Sequence, residues 1–92
     1  MIARRLVIRG RVQGVGYRYA MAEAVQARGV AGWVRNRSDG TVEAVLQGDA
    51  AAVEEAIAWC RRGPPLARVT AVEITTESVT VTFASFDLRS TV

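Results

Sequence analysis

The stretch Gly10-Arg11-Val12-Gln13-Gly14-Val15-Gly16-Tyr17-Arg18 places three glycines ahead of a tyrosine and an arginine. Arg4 to Val12 alternates as a strand does, with Leu6 and Ile8 on one face and Arg5, Val7 and Arg9 on the other. From Arg18 to Arg28 the chain is rich in helix formers without proline, and Gly29 is a natural stop. A strand, a glycine-rich turn and a helix start deliver several unpaired main-chain N–H groups to one small volume, and the positive end of the helix dipole points the same way. Gly14 and Gly16 allow the backbone to fold inward with no Cβ in the way, which suits an anion such as phosphate. Arg18 can add a planar two-pronged donor to the same anion. A cation at a helix N-terminus is unfavourable by about 0.3–1 kcal/mol, so Arg18 in that place calls for an anion. The stretch lacks the lysine and hydroxyl of the GxxxxGK[ST] nucleotide loop, and glycines between strand and helix also serve simply as turn makers. By itself it leaves anion binding open.

A second group of residues resolves the matter through topology. Val30 to Arg37 and Thr41 to Gln47 are apolar-rich segments around Ser38-Asp39-Gly40, the pattern of a hairpin. Asp49 is placed as the N-cap of a second helix, whose buried face carries Val53, Ala56, Ile57 and Cys60 and which stops at Gly63 before Pro64 and Pro65. Arg68 to Thr76 and Phe83 to Arg89 read as strands. Glu77 to Thr82 between them is either a loop or a strand extension. The order predicts an α+β, ferredoxin-like βαββαβ sandwich: an antiparallel sheet with two helices on one face, plus a short C-terminal fifth strand. In that arrangement the first two strands run parallel with the third between them, so Asn36 emerges at the same end of the sheet as the glycine turn, roughly 10 Å away.

The chain as a whole excludes several function classes. Its 92 residues support one core, so residues 1–92 are expected to form a single domain. There is no His and only one Cys, so no internal disulfide and none of the usual zinc constellations are available, and no metal or cofactor is called for. Cysteine usage points to a reducing, cytoplasmic setting. The basic start MIARRLVIRG does not read as a signal peptide, and no stretch approaches the roughly 20 apolar residues of a membrane span. All twelve basic residues are Arg, for a net charge of +3, which admits an anionic partner but also fits a compositional habit of the source. Met21 and Cys60 are core candidates, and Trp33, Trp59, Phe83 and Phe86 read as packing. A monomer is the default for this size.

Taken together, Ile8 to Arg18 resembles the first signature of the acylphosphatases, and Gly32-Trp33-Val34-Arg35-Asn36 with Gly40, Val42 and Gly48 resembles the second. The resemblance runs through Gly63-Pro64-Pro65 to Phe86-Asp87-Leu88-Arg89, with Tyr17 where the family usually has Phe. It implies hydrolysis of a small-molecule acyl phosphate to carboxylate and inorganic phosphate, with phosphate also a candidate inhibitor, and with neither metal nor cofactor. It implies that Arg18 and the backbone amides of Gln13, Gly14, Val15, Gly16, Tyr17 and Arg18 hold the phosphate. Asn36 would orient the attacking water, which loses its proton to the bound phosphate. The chemistry is consistent with so little equipment: the leaving carboxylate has a conjugate acid of pKa about 4 and departs without a general acid. One rival reading is a nucleic-acid-binding module, because the RNA-recognition motif shares this topology. That module stacks bases on aromatics of its first and third strands, and RRLVIRGRV and TVEAVLQG have none, so neither nucleic acid nor membrane is expected as a partner. The other rival is a phosphate-sensing module that keeps the cradle without turnover.

Overall fold

Alternation, helix formers and turn residues produce the expected elements in the computed structural model, which describes residues 1–92. In chain order they are β1 (Ile2–Arg11), α1 (Tyr17–Ala27), β2 (Ala31–Asn36), β3 (Val42–Gly48), α2 (Ala50–Arg62), β4 (Arg68–Thr76) and β5 (Phe86–Leu88). The sheet order is β4-β1-β3-β2-β5. β1 pairs antiparallel with β3 and β4, and β2 pairs antiparallel with β3. This is the ferredoxin-like arrangement. β5 joins the outer edge of β2 in parallel, which makes the five-stranded sheet mixed.

The period-two pattern of the strands sends alternate residues to opposite faces. On the helix-covered face, Leu6 and Ile8 of β1, Val34 of β2 and Val42, Ala44 and Leu46 of β3 meet Met21 and Val25 of α1 and Val53, Ala56 and Cys60 of α2. Each of these is fully buried. Met21 and Cys60 are thus core residues, as expected, and burial pushes the Cys60 thiol up to about 12, so it stays protonated. On the opposite face Trp33 is only 6 % exposed. The guanidinium groups of Arg35 and Arg89 lie 4.7 Å from its ring centre, and that of Arg5 lies at 5.7 Å. Arg5 and Arg35 both pair with Glu43. Burial works against the Glu43 carboxylate, but the two arginines outweigh it and hold its pKa below the ordinary value. Three of the twelve arginines, Arg5, Arg35 and Arg89, therefore help build the sheet's open face.

Two local expectations change. Phe83 to Arg89 is not one strand, because only Phe86–Leu88 joins the sheet. The buried Gln47 side chain donates to Val81 O at 2.7 Å and accepts from Phe83 N at 2.8 Å, so this stretch is held by a side chain instead of a ladder. Asp49 does occupy the N-cap of α2, but its side chain makes no capping hydrogen bond. No helix is long and apolar enough to cross a membrane.

Candidate active site

The three glycines of the opening stretch divide into two roles. At Gly10, with φ at 125°, a Cβ would stand 2.1 Å from Arg68 O, where the β1–β4 register shifts between Arg9 and Gly10. That glycine serves a β-bulge, not a ligand. At Gly14 and Gly16, with φ at 75° and 77°, a Cβ would meet nothing within 4 Å, so the left-handed backbone is what requires glycine there. Gly16 is the N-cap of α1, has no side chain to cap it, and is followed by no acidic residue in the first turn. None of the N–H groups from Gln13 to Arg18 donates to a backbone carbonyl. The only main-chain N–H groups bonded to side chains are those of Thr41 and Phe83. Six consecutive donors at the positive end of a helix are therefore free.

Tyr17 anchors this helix start. The residue is 1 % exposed, and its hydroxyl donates to Cys60 O at 2.7 Å. The helical partner of that carbonyl would be the N–H of residue 64, which is proline and has none. Tyr17 thus satisfies a carbonyl that the end of α2 leaves without a donor, which answers why a hydroxyl is tolerated here. Burial, reinforced by Cys60, raises its pKa and keeps it protonated. Tyr17→Phe would leave a buried acceptor unmade, so it should destabilise the fold by about 1–2 kcal/mol in urea or thermal unfolding.

Asn36 ends β2 in register with Val42 of β3, which pairs with Ile8 of β1. Standing two residues after the buried Val34, it projects on the helix-covered face, toward the start of α1. Its Oδ1 is buried and accepts no hydrogen bond. A buried polar atom without a partner costs roughly 1–3 kcal/mol, so its retention asks for a function.

Gln13, Gly14, Gly16, Tyr17, Arg18 and Asn36 line one pocket of about 190 Å³, together with Val12 and Tyr19. Val15 does not line it and packs its side chain against the core. Arg18 is half-buried and makes no ion pair, unlike Arg5, Arg9, Arg35 and Arg37. Its guanidinium lies 5.7 Å from the ring centre of Tyr19, an exposed residue that nothing in the sequence singles out. The three larger pockets share no residue with this one. What distinguishes it is chemistry: free amides, an unpaired guanidinium and a buried carbonyl oxygen converge there. No three His, Cys, Asp or Glu side chains gather anywhere in the chain.

The acylphosphatase family profile matches residues 4–88. The acylphosphatase of Acidovorax sp. (strain JS42) is 52 % identical over 91 residues, covering 99 % of this chain and 93 % of the other. That of Acidiphilium cryptum (strain JF-5) is 60 % identical over 70 residues, covering 76 % and 77 %. The crystal structure of the acylphosphatase from Bacillus subtilis superposes with a TM-score of 0.93 at 34 % identity, over 97 % of this chain and 99 % of that one. With a profile match that runs from β1 to β5 and a relative 52 % identical over 93 % of its own length, the chain belongs to the acylphosphatase family.

Proposed function

We propose that the protein hydrolyses the carboxyl–phosphate anhydride of small acyl phosphates without a metal ion, using Arg18, the amides of Gln13 to Arg18, and Asn36. The phosphoryl group sits in the loop, where the main-chain N–H groups and the Arg18 guanidinium meet its equatorial oxygens. Charge spreads onto those oxygens in the transition state, so fixed donors there stabilise it more than the ground state. Asn36 accepts one hydrogen bond from a water and aims its oxygen at phosphorus. The water oxygen forms a new bond to phosphorus as the P–O bond to the acyl group breaks, the carboxylate leaves with the electron pair, and the water's proton passes to a phosphate oxygen. No protein base is needed.

The observation that carries this reading is the unpartnered, buried Oδ1 of Asn36 in the same pocket as Arg18 and the loop residues Gln13, Gly14, Gly16 and Tyr17, whose main-chain N–H groups are free. An RNA-binding role finds little support, because the open-face residues of β1 and β3 include Arg5, Val7, Glu43 and Val45, and Trp33 lies on β2 beneath arginines. The experiment is phosphate release from acetyl phosphate with and without a chelator. Turnover well above the uncatalysed rate and unchanged by chelator is expected. Absence of release removes the enzymatic reading in favour of phosphate sensing, and loss on chelation removes only its metal-free part.

A further inference from the structure

The loop has to be held at a set distance from Asn36, yet its own main-chain N–H groups make no backbone bonds. The Gln13 side chain bridges the gap. Its Nε2 donates to Arg37 O and to Thr41 O, each at 2.8 Å. An amide nitrogen has two N–H groups, so both are used. The two carbonyls bracket the β2–β3 turn and are already held by it: Gly40 N donates to Arg37 O at 3.1 Å, and Arg37 N donates to Thr41 O at 2.9 Å. Gln13 occupies the second lone pair of each. Arg37 directly follows Asn36 and Thr41 directly precedes β3, so the side chain of the first cradle residue grips the backbone beside the water-orienting residue.

We propose that the Gln13 side chain is a positioning residue that fixes the separation between the amide cradle and Asn36. This is distinct from its backbone N–H and rests on the reading of Asn36 given above. Near-attack geometry is steep in distance, and a displacement of about 1 Å can lower turnover about a hundredfold. Gln13→Met keeps length and shape and removes both donors. It is expected to lower kcat on acetyl phosphate by about tenfold to a hundredfold, while inhibition by inorganic phosphate changes by less than about threefold. Phosphate binding in the same preparation reports the folded fraction. Gln13→Ala carries the same test if the thioether is not accommodated.

The decisive comparison is with Asn36→Ala. If Gln13 acts through Asn36, adding Gln13→Met to Asn36→Ala lowers kcat by no more than about twofold beyond the single change. Full multiplication of the two effects, unaltered kcat in Gln13→Met, or a loss of phosphate affinity as large as the loss of turnover overturns the proposal. A collapse in Asn36→Ala with normal Gln13→Met removes the positioning role alone, whereas normal turnover in Asn36→Ala removes the water-orienting reading and this inference with it.

Discussion

Arg18→Ala is expected to lower kcat/KM for acetyl phosphate by about 10³-fold or more and to weaken inhibition by inorganic phosphate by about tenfold to a hundredfold. The affinity figure corresponds to a net loss equal to one charged hydrogen bond, worth about 1.5–3 kcal/mol, with about 1.4 kcal/mol per factor of ten. The structure shows what is at stake. Arg18 forms no ion pair, so its charge is available to a ligand, and it stands at the second position of α1 in the pocket lined by the loop. Removing it relieves the repulsion between a cation and the helix N-terminus, so the variant should unfold no more readily than the wild type. Arg18→Lys should restore only a small part of the activity, because a point charge replaces a two-pronged donor. The amides alone would have to suffice if Arg18→Ala kept kcat/KM within tenfold of wild type, and the assigned role of Arg18 would then be wrong.

How much of this was legible before the fold was seen depends on what kind of interaction each feature rests on. β4 runs from Arg68 to Thr76, as its strand-like composition says, although only Val69 and Val72 of this edge strand pack against the core. Asn36 and the glycine turn meet because a split βαβ chain has few ways to order its strands, so topology alone brings two distant segments to one end of the sheet. Other features depend on contacts that composition does not encode. Gly10 looks like part of the loop until the approach of Arg68 O shows that it belongs to a bulge. Phe83 looks like a strand start until Gln47, far away in sequence, takes over its backbone bonding. Gln13 reads as one more amide in the cradle, and only the position of the β2–β3 turn reveals what its side chain holds. Side-chain to main-chain bonds across the sheet leave no periodic trace, which is why they are missed.

Asn36→Ala is expected to separate binding from chemistry in the opposite way to Arg18→Ala. Turnover should fall by about 10²–10³-fold while inhibition by inorganic phosphate stays within about threefold, because the amide meets the water and not the phosphate oxygens. Stability provides an independent check. Oδ1 of Asn36 is buried and accepts no hydrogen bond from any protein group, so no protein partner depends on it. Alanine deletes that atom without stranding a partner, and the position sits at the end of β2 and not in the packed core, so little apolar burial is lost with it. The variant should therefore be as stable as the wild type or more so in urea or thermal unfolding. A residue whose removal inactivates without destabilising is being retained for chemistry. A structural Asn36 would produce the reverse pattern, with lower stability and turnover preserved below the unfolding transition, and that outcome would reassign the water-orienting role to another group in the pocket.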